Sequence, residues 1–322
     1  MMEKNYWYRS KNLKKYLLAF ALLIVGLGID DSYASDIVYY EDYDLDIIFE
    51  ENDKESTEDF DEDPEETDSL EEVEDKNDKL NEEISNIIRE EMDKVDGSYQ
   101  VAVKTLEGDS DIDLDYRNTS DSLPSASTIK VFIAISAYEN IERGSISETD
   151  SLNNDIHLML NRSDNYATNR VIDALGGFST INNTIEELTG SNRTSLNRKL
   201  AHSGKENMVD VSDLIRAMEE LNDPKLISKR SAEKIKESMT NTNTRSSKLL
   251  ANLPPYARGI NKSGENPDRG QELDVAIIDV GSTRFALAVA TKTDKYFDNE
   301  NELRVLRSLG ERITEAFYSF ES

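Results

Sequence analysis

Apolar residues first recur at helical spacing at Leu80, Ile84, Ile87, Ile88 and Met92, which predicts an amphipathic helix from about residue 78 that stops near Gly97. The period then changes to two. Tyr99, Val101 and Val103 alternate with polar residues, Gly108-Asp109 supplies a turn, and Ile112, Leu114 and Tyr116 alternate again, so an antiparallel hairpin should follow. Helical spacing dominates from Thr128 to about Met239, with breaks at Gly144, Gly176-Gly177 and Gly190. Three further strands are predicted over 257–263, 274–280 and 284–291, with Gly281-Ser282 turning the chain between the last two. A final helix over 302–318 carries Leu303, Leu306, Ile313 and Phe317 on one face. The two ends of this pattern combine into one layer of sheet and helices, and the helical middle forms a second lobe.

Charge separates this pattern from what precedes it. Residues 41–80 hold 21 Asp or Glu against 3 Lys, a net of −18 within a chain total of −29. With few apolar side chains and strong self-repulsion, 35–78 is expected to be a disordered acidic spacer, Tyr39, Tyr40 and Tyr43 included. So acidic a chain does not suit nucleic acid. Residues 1–34 have the form of an export signal: Lys4, Arg9, Lys11, Lys14 and Lys15 precede an apolar run over 16–29, and Ser32-Tyr33-Ala34 offers small residues for cleavage after Ala34. Cleaved, the signal yields a secreted protein; uncleaved, it is an anchor on the outer face of the membrane and the only membrane contact. There is no cysteine, so disulfides and thiolate metal sites are excluded, and the domain over 79–322 must rest on its apolar core. Nothing calls for a cofactor, and a monomer is expected.

Three short motifs carry candidate chemistry. Ser127-Thr128-Ile129-Lys130 lies where a loop held by Pro124 becomes an apolar helix, so Ser127 should sit at the helix N-terminus, where unpaired N–H groups favour developing negative charge. Lys130, one turn on, can approach the same hydroxyl; to take its proton it must be partly neutral, which burial and a neighbouring cation such as Lys262 favour. The pattern itself is cheap, since Ser231-Ala232-Glu233-Lys234 also matches, but that copy opens a charged helix. Ser163-Asp164-Asn165 reads equally as a helix cap, or as a proton relay (Ser163) with an amide contact (Asn165). Lys262-Ser263-Gly264 reads as a strand ending in a turn, or as an anion site with a glycine that lets substrate backbone come close. His157 and His202 stand far apart without an acidic partner motif, against a Ser-His-Asp triad or a histidine metal site; Arg269 and Arg284 are expected to pair with surface acids.

The three motifs in this order resemble those of the class A β-lactamases and the related penicillin-binding serine peptidases, over about residues 79–322. Asn169, four residues after Asn165, adds to the likeness. The resemblance implies an α+β fold: a five-stranded antiparallel sheet flanked by helices, an all-helical lobe, and an active site between them. It implies Ser127 as acylated nucleophile, Lys130 as its base, Ser163 as proton shuttle and Asn165 as substrate contact. Lys262 and Ser263 would form the anion site, and the backbone N–H groups of Ser127 and Glu265, the residue after Gly264, the oxyanion hole.

Two departures stand out. Class A enzymes carry a Glu-x-x-Leu-Asn segment whose glutamate positions the deacylating water; the nearest match is Arg193-Thr194-Ser195-Leu196-Asn197, and arginine cannot serve as a base. Unless Glu186, Glu187 or Glu206 reaches the site, an acyl-enzyme should persist. Only 36 residues separate Ser127 from Ser163, fewer than is usual in class A, which suggests a more open cleft. The sequence therefore reads as an exported serine acyl hydrolase acting on β-lactams or on peptides like the D-Ala-D-Ala ends of cell-wall stems. A catalytically silent peptidoglycan-binding or sensing module is the alternative.

Overall fold

The computed structural model describes residues 64–321. The signal segment and the first part of the acidic stretch, with Tyr39, Tyr40 and Tyr43, lie outside the described residues. The first helix, α1 (Pro64–Met92), begins inside the stretch expected to be spacer.

After α1 come β1 (Gly97–Glu107), β2 (Asp113–Arg117) and the short β3 (Leu123–Pro124). The lobe comprises α2 (Lys130–Glu142), α3 (Asp150–Asn161), α4 (Asn165–Ala174), α5 (Phe178–Thr189), the short β4 (Met208–Val209), α6 (Val211–Asn222) and α7 (Lys229–Ser238). The chain then returns as β5 (Ala257–Asn266), β6 (Gln271–Val280), β7 (Thr283–Thr293) and α8 (Glu300–Glu321). The five long strands form one antiparallel sheet in the order β2-β1-β7-β6-β5, so that β5 is an edge strand. The glycine breaks fall where expected: Gly144 and Gly176 follow α2 and α4, and Gly190 ends α5 in a left-handed conformation that a glycine adopts without strain.

Both faces of the sheet are buried, and β7 shows how. Phe285, Leu287 and Val289 project into a core with Ile84, Ile88 and Met92 of α1 and Val305, Leu306, Leu309, Ile313 and Phe317 of α8. Ala286, Ala288 and Ala290 alternate onto the opposite face, where they meet the helical lobe. Small side chains there let the lobe approach the sheet closely. On α8, Leu303 is only half-buried, because the core stripe runs through Val305 and Leu309 instead. The stretch from Lys130 to Glu139 in α2 is buried on every side, as expected of a helix enclosed by its lobe. Among the described residues no helix is long and apolar enough to cross a membrane.

Candidate active site

The approach to α2 is a tight turn, so the helix proper starts at Lys130 and not at Thr128. Thr128 N and Oγ1 both donate to Ser125 O, at 3.0 and 2.7 Å, and Lys130 N donates to Ser127 O at 3.3 Å. Ala126 takes a φ of 43°, a strained left-handed conformation for a residue with a Cβ. This turn presents the half-buried Ser127 directly ahead of the helix and its dipole.

Lys130 is fully buried, and its Nζ donates to Ser163 O (2.7 Å), Ser163 Oγ (3.2 Å) and Asn165 Oδ1 (2.8 Å). Lys262, 2% exposed, reaches the same Ser163 Oγ at 3.2 Å from β5, so one hydroxyl links two buried amines. Burial, then the charge of Lys262, lowers the Lys130 amine to about 6; Asp164 opposes this weakly. Lys262 falls to about 7, chiefly through burial, against the pull of Asp274 and helped by Lys248. Ser163 itself has a φ of 57°, strain that the surrounding bonds must hold. Both readings of this motif therefore apply. Asp164 caps α4, accepting from Ala167 N at 2.7 Å, while Ser163 and Asn165 turn toward the lysines.

Gly264 sits where β5 meets the serine turn. A Cβ built on it would lie 3.0 Å from Ser125 O and from Ser127 N and 3.1 Å from Thr128 N, all rigid backbone. Gly264→Ala is accordingly expected to force the strand from the turn, with a stability loss of about 1–3 kcal/mol; a thermal transition equal to wild type would contradict this packing. Ser263 is less available than its expected role requires, for it is buried and its hydroxyl lies 2.7 Å from Thr244 Oγ1.

Ser127 opens on a cavity of about 230 Å³ whose wall includes Asn165, Arg198, Leu200, Glu206 and Glu265. Here the structure corrects the sequence reading. Arg193 does not line the cavity; it bonds Ser120 O and pairs with Asp210. The residue brought to the wall is Leu200, because Asn169 grips its backbone from α4: Asn169 Nδ2 donates to Leu200 O (3.0 Å), and Leu200 N donates to Asn169 Oδ1 (2.9 Å). Of the three glutamates considered, Glu187 pairs with Arg143, and neither it nor Glu186 lines the cavity. Glu206 does, but Arg198 holds both its oxygens (2.8 and 2.7 Å) and Arg269 one of them (2.5 Å).

The remaining candidates resolve as structural. Ser231 donates to Glu142 Oε1 at 2.5 Å inside α7, whose cap is Ser228, and Lys234 pairs with Glu148. His157 lies 3.3 Å from Ser238 Oγ, His202 is exposed, and Arg284 pairs with Asp279 and Glu107. Among the described residues no cluster of His, Cys, Asp or Glu could hold a metal ion.

No curated protein matches the sequence. Solved structures with the same fold include PBP-A, at 22% identity and a TM-score of 0.63, covering 73% of this chain and 96% of that one. A PBP-A mutant, in its acyl-enzyme complex with penicillin G, aligns at 21% identity and 0.64, with the same coverage of 73% and 96%. A representative class A β-lactamase from Bacteroides cellulosilyticus DSM 14838 aligns at 17% and 0.64, covering 74% and 99%. At these identities the likeness is one of fold. The sequence itself matches the model of the β-lactamase enzyme family over residues 79–156 and 150–317. Fold, motif geometry and sequence match agree, and this chain belongs to the β-lactamase enzyme family.

Proposed function

We propose that this chain is a serine acyl hydrolase that is acylated on Ser127 by β-lactams or by D-Ala-D-Ala-like stem peptides and releases the acyl group slowly. The observation that carries the reading is Ser163 Oγ held 3.2 Å from both Lys130 Nζ and Lys262 Nζ, two desolvated amines beside the serine turn. Neutral Lys130 takes the Ser127 proton as Oγ bonds to the substrate carbonyl carbon, and the carbonyl π pair moves onto oxygen. That oxyanion lies between the N–H groups of Ser127 and Glu265. When the pair returns, the C–N bond breaks; the leaving nitrogen takes the Ser163 proton, which the Lys130 ammonium replaces. Lys262, when charged, attracts the substrate carboxylate.

Slow release follows from the cavity wall. Glu206 is held by two guanidiniums, and Leu200 offers no base. A catalytically silent binder would not need two amines driven toward neutrality beside a serine. The N-terminal pattern supports export, placing the site outside the cytoplasmic membrane, where wall peptides and penicillins are met.

The test is intact-mass analysis after exposure to benzylpenicillin. The expected result is a single covalent adduct, absent in Ser127→Ala, persisting for hours. Fast chromogenic cephalosporin turnover would remove the slow-release part, and no adduct on folded wild type would remove the reading.

A further inference from the structure

Against β5 and β6 lies a third buried lysine, which no motif singled out. Lys248 is fully buried, and its three N–H donors are all used: Nζ lies 2.8 Å from Gly264 O, 2.5 Å from Glu272 Oε2 and 3.3 Å from Leu273 O, with the Glu265 carboxylate as a longer ion-pair partner at 3.6 Å. Glu272 is equally buried, and its other oxygen accepts from Asn299 Nδ2. An ammonium so placed has no donor left for a substrate, so apart from its through-space repulsion of Lys262 its effect on the site passes through the groups it grips.

One of those groups belongs to the oxyanion site proposed above. The bond between Gly264 and Glu265 is trans, as are all peptide bonds among the described residues, and planar, so its C=O and N–H point in opposite directions. Lys248 takes the C=O from the side of β6, to which Glu272 and Leu273 belong. The Glu265 N–H must then point away from β6, over the free edge of β5, where the Ser127 turn packs against Gly264. A charged donor on the carbonyl also draws electron density from the amide nitrogen and makes its N–H a stronger donor.

We infer that Lys248 is a positioning residue, which aims and polarises the Glu265 N–H by holding the Gly264 carbonyl. The inference rests on the acylation reading. It differs from a role in carboxylate binding, because it acts on the transition state and leaves the first encounter with substrate untouched.

The experiment measures two constants with benzylpenicillin, for the non-covalent complex and for acylation, and the inhibition constant of phenylboronic acid, whose tetrahedral adduct places an oxygen in the same hole. Lys248→Met is compared, at pH 6 where Lys262 is mostly charged in either case, with Lys248→Met/Glu272→Gln, which leaves Glu272 without an unpaired charge and so carries the test if the single variant does not fold. Removing an oxyanion donor outright costs about 10²–10³-fold. Loosening one is expected to slow acylation by about 10- to 100-fold, to weaken boronate binding by a similar factor, and to leave the non-covalent constant within about twofold. Unchanged acylation in the folded double variant overturns the inference. So does a weakened non-covalent complex with an unchanged acylation step, which would assign Lys248 to substrate binding. Wild type that is never acylated removes the acylation reading and this inference together, whereas acylated wild type with an unaffected variant removes only the inference.

Discussion

Lys130→Met is expected to leave a folded protein that benzylpenicillin acylates about a thousandfold more slowly, within the range a positioned general base contributes. Methionine fills much the same enclosed space in α2 but cannot accept the Ser127 proton. The pH profile separates this from a packing defect. Burial, aided by Lys262, brings the Lys130 amine from its ordinary 10.5 to about 6, so it is protonated and idle below that pH and free to act above it. Lys262, lowered to about 7 mainly by burial, loses above that pH the charge that attracts a carboxylate. Wild-type acylation should therefore peak between about 6 and 7, with limbs belonging to the coupled pair and not to either lysine alone. The methionine variant should lose the acidic limb. A flat wild-type profile across pH 5 to 7, or a variant retaining the full rate, would contradict Lys130 as base.

Leu200→Glu should act on the other half of the reaction and shorten the lifetime of the benzylpenicillin adduct by about 10²-fold or more. Leu200 is 6% exposed on the wall of the Ser127 cavity, and the Asn169 amide fixes its backbone on both sides. A carboxylate there would be partly desolvated, which raises its pKa and makes it a better base toward a water beside the ester. Glu206, already in the cavity, cannot substitute while two arginines hold its charge. Leu200→Gln, with the same shape and no basicity, is the control. Time-resolved mass spectrometry reads the outcome, and equal decay in the Glu and Gln variants would exclude position 200 as the place for a base. A buried carboxylate costs stability, so the Glu variant should also melt lower.

These two positions differ in how legible they were. Lys130 could be placed from sequence because Ile129, Phe132, Ile133 and Ile135 make its helix apolar all round, and a lysine in such a helix has nowhere to go but inward. The other helices and strands of the domain followed from similar periodicity, whereas the gathering of the three motifs was implied by the family resemblance. Leu200 could not be placed that way. Matching the string around Arg193 relied on local spelling, whereas the cavity wall is set by an amide 31 residues away in sequence. Thr244 and Lys248 escaped for a related reason: they lie in a non-periodic link between α7 and β5, and their importance comes from the strand they touch.

The crowding around Gly264 also bears on how such a site can diversify. The serine turn packed against that position makes any larger side chain costly, so inheritable change in what the cleft accepts enters more readily elsewhere. Glu265, Asn266 and the loop residues Arg198, Ala201 and Glu206 border the same cavity with side chains of their own. Lineages of this protein should therefore vary at those side chains while Gly264 stays fixed.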